Sequence, residues 1–562
     1  MSGGPARWKR LAVKLVEHAV YVMPPAKAAW AAAMMWETEH MEGSVDVLLW
    51  AFGCLVASYR SRLAKARCFG SGAIFGRCAA CTIVVCFVCL GALNSAIGQT
   101  GTVRPVFQQT ACDLPRLSPE VAPRIQCGTV SVPRSYGQPD LGVFKLAVVV
   151  VRNAQQPALP DPVVYISGGR GSPLTKYTEY QAHHPYAPDR DLILVDQRGV
   201  GRSEPSLCPA AAGEFLRADF TVADNITTET QDQRRSLFMA CRDAVKAQGI
   251  DLDDFGTKAT VEDFEQVRQA LGIVRWNVVG NSYGTTVTMT LMVRHPGTIR
   301  SAVLDSVYPP DLVLPPWSAR AAAARTAFFE TCDQDEACAA AFPDLAGQYQ
   351  QALDRLSHAP LSVSVPSAMH RLGNQAPLTA SLFEMIVALR LYYAENYPDL
   401  PRLIATVHDG KPEYFAAALT DVLSGAADVN SPAHIAVECR DRPHLREALA
   451  AGADALDQIG DRGVCNDWSN LGPPPEIPTG TNIPTLVLAG QFDPNASPPL
   501  SRHVADLIGD RARWVEFPLI GHNVRHVSPC ATTVVAAFIA QPGEALDTSC
   551  AQQTLRIRFL PR

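Results

Sequence analysis

The residues best placed to do chemistry are Gly280-Asn281-Ser282-Tyr283-Gly284. A short apolar run, 276–279, precedes them, and a stretch able to open a helix, 285–292, follows. G-x-S-x-G between a strand and a helix is a nucleophile elbow. Its sharp turn strains the serine backbone, and its glycines remove side chains that would collide with the neighbouring strand and helix. A serine hydroxyl is a weak nucleophile at neutral pH and needs a base, usually a histidine oriented by a carboxylate. Two later loops supply both. Asp493 lies in Gly490-Gln491-Phe492-Asp493-Pro494, after the apolar run 485–489. His522 lies in Leu519-Ile520-Gly521-His522-Asn523, after the run 514–517. Serine, acid and histidine therefore follow in that order, each just beyond an expected strand. His526 is the competing base, but it lies farther from its strand and lacks the preceding glycine.

Acyl transfer also needs N–H donors for the developing oxyanion. One is the backbone N–H of Tyr283, the residue after the nucleophile. The second is expected at Gly169, in the loop Ser167-Gly168-Gly169-Arg170-Gly171-Ser172 that follows the run 163–166. A phosphate-cradling role for that loop is disfavoured, because it has neither a Gly-Lys-Ser/Thr ending nor G-x-G-x-x-G spacing. The segment Asp196-Gln197-Arg198-Gly199-Val200-Gly201-Arg202-Ser203 reads as a structural turn beneath the site.

These groups need a sheet to hold them. Apolar runs at 145–151, 163–166, 192–195, 276–279, 301–305, 485–489 and 514–517 read as strands. Short β-branched runs ending in glycine or aspartate loops suit parallel strands buried on both faces. Alternation with helical patterns such as 261–271 gives a doubly wound α/β sheet, which binds ligands at the carboxyl ends of its strands. The interval 311–475 breaks this rhythm. It is alanine-rich, helical in pattern at 321–331, 343–356, 380–393 and 412–423, and bracketed by prolines. It reads as a helical cap inserted between a first core part, 99–310, and a second, 476–562.

A chain of 562 residues, 47% hydrophobic and 19% charged, is an ordinary globular protein with some extra apolar sequence. Its net charge of −6 gives no reason to expect nucleic acid as a partner. Residues 78–93 are uncharged, follow several basic residues and precede the small-x-small triplet Ala96-Ile97-Gly98. This pattern resembles a signal peptide and is short for a membrane span of about 20 residues. Its position leaves two readings: a true start downstream of Met1, or a signal anchor in an extension spanning 1–98, with a second apolar run at 47–57. Either way residues from about 99 onward are expected to be exported, periplasmic or secreted. Ten of the 16 cysteines lie downstream of that point: Cys112, Cys127, Cys208, Cys241, Cys332, Cys338, Cys439, Cys465, Cys530 and Cys550. An even set suits disulfides in an oxidising compartment, and adjacent pairing is the simplest arrangement. No C-x-x-C pair or Cys/His cluster occurs among them, which disfavours a zinc site, and the serine chemistry above needs neither metal nor organic cofactor.

With these motifs in hand, the chain resembles the proline iminopeptidase branch of the α/β-hydrolases, and within it exported enzymes with a tripeptidyl-aminopeptidase-like C-terminal region. The likeness rests on the Gly168-Gly169-Arg170-Gly171-Ser172, Asp196–Ser203, Gly280–Gly284, Gly490–Pro494 and Gly521-His522 motifs. It extends to Cys332…Cys338 and Cys439…Cys465-Asn466-Asp467-Trp468, over about residues 105–550. The resemblance implies an α/β-hydrolase fold, with a mostly parallel central sheet and the inserted helical cap. It also implies release of N-terminal residues or short peptides through catalytic Ser282, Asp493 and His522. A free α-amino group would be recognised by cap carboxylates, for which Glu438 and Asp441 are the candidates. Arg170 stands where such sequences usually carry proline, which brings charge towards the substrate, and Asn523 where glycine is common. A small ester or amide is the alternative substrate class, and a catalytically inactive binding protein on the same fold is the third reading, against which the intact triad argues.

Overall fold

The computed structural model describes residues 105–562 apart from 184–185, 225–226, 313, 315–316, 365–374, 427, 442–463, 471, 473 and 554–555, together with Lys14 and Val16. The apolar segments 47–57 and 78–93 lie outside the described residues. Among the described residues no helix is long and apolar enough to cross a membrane.

Nine strands form one sheet: β1 (Phe107–Thr110), β2 (Ile125–Pro133), β3 (Val143–Val151), β4 (Leu159–Ile166), β5 (Arg190–Val195), β6 (Trp276–Asn281), β7 (Ile299–Asp305), β10 (Thr485–Gly490) and β11 (Ala512–Phe517). Their spatial order is β1-β2-β3-β5-β4-β6-β7-β10-β11. From β5 to β11 all neighbours run parallel. The run at 145–151, which reads as a parallel strand, instead pairs antiparallel with β2 and with β5. The cause is local: only residues 134–142 join β2 to β3, too few for a crossover between parallel strands.

The strands that bear the site motifs are apolar because both faces of the sheet are covered. Val164, Ile166, Ile193, Val195 and Val278 point to one side, where Phe238, Phe264 and Val287 of three helices cover them. Their alternates Val163, Tyr165, Leu192, Leu194 and Val279 point to the other, against Val534, Val535 and Phe538 of the helix Pro529–Ala540. The period of two residues thus fixes each strand's register in depth, and with it the positions of the loops at the strand ends.

Between β7 and β10 the chain forms a helical insertion that includes Trp317–Gln334, Leu345–His358, Ala380–Arg390, Leu400–His408, Glu413–Ala426 and Ser431–Asp441. It also contains a two-stranded hairpin, β8 (Leu361–Ser364) with β9 (Gln375–Leu378), where sequence reading expects only helix. The strands are four residues each, and their signal is a bare alternation in which Val363, Ala376 and Leu378 turn inward. Phe328, Phe342, Phe383 and Phe415 give most of the insertion its own core, which also takes in Phe492. Phe492 meets Phe328 and Tyr397 edge-on at 5.7 and 5.5 Å, so the neighbour of Asp493 is gripped by the insertion. The helix Ser431–Asp441 differs: its Ala433, Ile435, Ala436 and Cys439 pack into the core of the sheet.

Among the described residues five disulfides join sequential cysteines, Cys112–Cys127, Cys208–Cys241, Cys332–Cys338, Cys439–Cys465 and Cys530–Cys550, the adjacent pairing expected. Cys439–Cys465 ties the end of the helix Ser431–Asp441 to the short helix Cys465–Trp468.

Candidate active site

Ser282 directly follows β6 and caps the helix Tyr283–Arg294, with φ 52° and ψ −122°. A non-glycine residue at such angles is held there at a cost of roughly 1–3 kcal/mol. Its own amide supplies part of the restraint by donating to the Asp305 carbonyl at 2.9 Å. Its carbonyl accepts from the Thr285 amide at 2.9 Å and the Thr285 hydroxyl at 2.5 Å. The side chain is buried but not sealed, at 9% exposure.

Asp493 and His522 meet at the ends of β10 and β11. The His522 Nδ1–H donates to Asp493 Oδ2 at 2.7 Å. The second ring nitrogen, Nε2, takes no part in that bond. Asp493 Oδ1 accepts from the Asn495 and Ala496 amides at 2.9 and 2.8 Å, which fixes the carboxylate plane. Burial pushes the Asp493 carboxyl upward, but His522 and the two amides outweigh it and hold the group below its usual range. Burial likewise pushes His522 down, yet the charge and hydrogen bond of Asp493, with a further contribution from Asp305, lift it above its ordinary value. The insertion holds the same histidine from above. Its amide donates to the Tyr392 carbonyl at 2.8 Å, and the two rings lie 4.9 Å apart. A Cβ on Gly521 would stand 2.7 Å from that carbonyl, which explains the glycine before the histidine.

His526, four residues on, has different company. Tyr180 Oη lies 2.8 Å from its Nδ1 and Tyr186 Oη 3.5 Å from its Nε2, and its ring stacks on Tyr180.

The glycine loop expected to complete an oxyanion hole lies directly against Ser282. A Cβ at Gly168 would stand 2.5 Å from the Ser282 Cβ, so only glycine permits this approach. Gly169 follows at φ 70°. The loop is held at its C-terminal end. Gly171 accepts from the Asn430 amide at 2.9 Å, just before the helix Ser431–Asp441. Asp196 receives the Leu174 and Thr175 amides at 2.7 and 2.8 Å and the Arg202 amide at 2.9 Å. Arg198 pairs with buried Asp263, Nη2 to Oδ1 at 2.6 Å and Nε to Oδ2 at 2.7 Å. The Asp196–Ser203 segment, buried except at Gly201 and Arg202, is therefore a structural brace.

The three residues expected to meet substrate form a second polar cluster, behind Tyr283. The Arg170 guanidinium lies 4.5 Å from the Tyr283 ring centroid and 5.1 Å from that of Tyr308, and pairs with Glu438 Oε2 at 2.7 Å. Asp441 Oδ2 accepts from the Thr257 amide and hydroxyl at 3.0 and 2.6 Å. That hydroxyl also lies 2.9 Å from Tyr283 Oη. Burial first, then the like charge of Glu438, pushes the Asp441 carboxyl up to about 6 against Thr257 and Arg170. Thr257, Tyr308 and Tyr392 were not singled out by sequence reading, since none sits in a motif and each acts through a contact made by folding. Asp305 was the one missed group with a readable signal, a carboxylate at the end of an expected strand.

The alpha/beta hydrolase fold family model matches residues 161–529, more than half of the chain. The tripeptidyl aminopeptidase of Streptomyces coelicolor is 30% identical over 199 residues, 33% of this chain and 36% of that protein. Serine protease Hip1 of Mycobacterium tuberculosis is 25% identical over 241 residues, 40% of this chain and 45% of Hip1. The chain thus spans less than half the length of these curated relatives. Among solved structures, the proline iminopeptidase of Mycobacterium smegmatis covers 74% of this chain and 98% of its own, at 17% identity and TM-score 0.36. By its family match and its sheet, the chain belongs to the alpha/beta hydrolase fold family.

Proposed function

We propose that this hydrolase is a serine enzyme working through Ser282, His522 and Asp493, and that it releases N-terminal residues or short peptides outside the cytoplasm. The observation that carries the reading is the 2.7 Å bond between Asp493 and His522, made by two strand-end loops of the sheet that also bears the strained Ser282 after β6. Ser282 Oγ adds to the scissile carbonyl carbon while its proton passes to His522 Nε2. Asp493 stabilises the imidazolium, and the Tyr283 and Gly169 N–H groups receive the oxyanion. Collapse breaks the carbonyl–nitrogen bond, and His522 returns the proton to the leaving amine. Water, deprotonated by His522, then attacks the acyl carbon, and Ser282 leaves with the proton as the acid departs.

The peptide class rests on the peptidase-named relatives and on the acidic residues at the end of the helix Ser431–Asp441. In this reading Glu438 exchanges Arg170 for a substrate ammonium, with Asp441 beside it. A second reading, an esterase or amidase for small molecules, is favoured by one observation: Glu438 already has a guanidinium partner, and Asp441 is already hydrogen-bonded to Thr257. The test is a panel of aminoacyl- and peptidyl-naphthylamides beside short acyl esters, run with a fluorophosphonate label. Peptide release and labelling, both absent in Ser282→Ala, support the peptidase. Ester turnover without peptide release selects the second reading. A folded wild type that takes no label rejects the serine mechanism. The extracytoplasmic setting is supported by the five disulfides. A mature N-terminus near residue 99 agrees with it, and one near Met1 sinks the signal-peptide form.

A further inference from the structure

We propose that Asp305 and Ser306, the last residue of β7 and the next, form a clamp that sets His522 against Ser282, and that the Asp305 carboxylate also acts on the charge of His522. The inference rests on the serine mechanism above.

Two adjacent residues here bond to the elbow, to the segment after His522 and to the strand that leads to Asp493. The Asp305 carbonyl accepts from the Ser282 amide at 2.9 Å and from Asn281 Nδ2 at 3.3 Å, which fixes the elbow. Its carboxylate takes the Val524 amide on Oδ1 and the Arg525 amide on Oδ2, each at 3.0 Å. Ser306 Oγ accepts from the Asn523 amide at 2.8 Å. Three consecutive amides directly after His522 are thus received by two consecutive residues. The Ser306 amide donates to Leu488 of β10, the strand that leads to Asp493, at 3.1 Å. Ser306 and Asn523 both stand at positive φ, 56° and 61°. Such backbone persists where surrounding bonds over-determine it, and the Asn523–Ser306 bond joins the two directly.

Asp305 is 3% exposed, and its carboxylate takes two backbone amides and the Ser306 hydroxyl. Burying an ionised group in this way is costly. The titratable groups that face it are His522 across the site, with Tyr165 of β4 and Tyr186, both pushed up chiefly by burial, on the other side. The Arg525 guanidinium acts on those two tyrosines and lies 3.8 Å from the Tyr186 ring centroid. Burial pushes the Asp305 carboxyl up to about 6, with the two amides and His522 pulling against it. Above that pH a negative charge faces His522 and favours its protonated form, the form required in each tetrahedral intermediate. Asp493 supplies most of this effect and Asp305 adds to it.

The test is the rate at which a fluorophosphonate labels Ser282, measured against pH in the full chain, because this step needs neutral His522 and no known substrate. D305N keeps the shape, removes the charge and sets an amide NH₂ against a backbone N–H. Its labelling should fall about tenfold or more, and the acidic limb of the profile should move down by roughly half a pH unit. S306A removes the acceptor for Asn523 and leaves the charge. Its rate should fall about three- to tenfold with the limb in place. A merely structural role lowers the rate in D305N without moving the limb, and that result overturns the electrostatic half of the proposal. Folded variants that both label within twofold of wild type overturn the clamp. If D305N does not fold, S306A decides alone, and a wild-type rate there overturns it. Ser282→Ala is the control: label retained in that variant, or none taken by wild type, refutes the serine mechanism itself rather than the clamp.

Discussion

Asp493 and Asp441 are both almost wholly buried, at 1% and 4% exposure, yet their environments push them in opposite directions. Asp493 lies at a strand end, facing an imidazole and two backbone amides, and is held below its usual range. Asp441 lies at the end of an insertion helix, where Thr257 is its hydrogen-bond partner and Glu438 a like charge nearby, and it is pushed up to about 6. Equal burial therefore says little about charge state; the partner decides it. The difference also assigns work. A carboxylate that stays ionised can stabilise an imidazolium in every turnover, whereas one poised near 6 shifts with its surroundings. The sharpest way to break the comparison is D493N. The amide preserves the shape but allows the wrong His522 tautomer, and kcat should drop about 10⁴-fold. A loss below tenfold in steady-state assays would place the ionised partner elsewhere.

The next effect tests the cluster behind Tyr283. Arg170 and Glu438 are a buried pair, 8% and 6% exposed at their side chains. Removing one partner of such a pair leaves an uncompensated charge and costs about 3–5 kcal/mol. R170A should lose stability on that scale in denaturant unfolding. A loss under 1 kcal/mol would show that Glu438 gives up its partner readily, which is what ammonium binding requires.

Stability against pH separates the two aspartates by sign. Asp441 has a folded value of about 6 against an ordinary value of 3.8, so the folded state holds the extra proton between those values. Its contribution to stability therefore falls as pH rises from about 4 to about 6. Asp493 is depressed, so its contribution is present above its unfolded value and is lost as pH falls through the lower folded one. D441N removes the first slope. Its stability relative to wild type should climb by about 1–3 kcal/mol between pH 4 and pH 6. A difference that stays flat across that window would erase the contrast.

The parts legible in the sequence share a cause. The strands at 163–166, 192–195, 276–279, 301–305, 485–489 and 514–517 are apolar because both faces of the sheet are covered, and the covering helices leave their own period in the chain. Ser282, Asp493 and His522 stand at the ends of such runs, within glycine-bearing loops that backbone approach demands. β1 and β2 were missed. Phe107–Thr110 is nearly all exposed, and Ile125–Pro133 alternates only weakly, so pairing rather than composition makes them strands. The parallel reading of 145–151 failed because continuous burial is shared by parallel and antiparallel interior strands. Arg170 could be read as a departure, but its place between Tyr283 and Tyr308 joins segments that only folding brings together. Asp305 sat at a strand end like Asp493, yet its partners are backbone amides more than 200 residues away, and amides leave no trace in residue type.

The smallest effect concerns the two histidines, where the same rule about partners applies. His522 has a carboxylate on Nδ1, whereas His526 lies between two phenols and is 5.3 Å from the Tyr180 ring centroid in a stacked pair. A phenol at neutral pH is uncharged and does little to stabilise an imidazolium. His526 packs and hydrogen-bonds against Tyr180 and Tyr186 in this arrangement. H526Q keeps a polar group beside Tyr180 and removes the ring. Labelling of Ser282 should stay within about threefold of wild type, with the acidic limb unmoved, because the limb belongs to the histidine that carries the charge. A loss above a hundredfold, with that limb abolished, would transfer the role of base from His522 to His526 and undo the assignment built on the Asp493 bond.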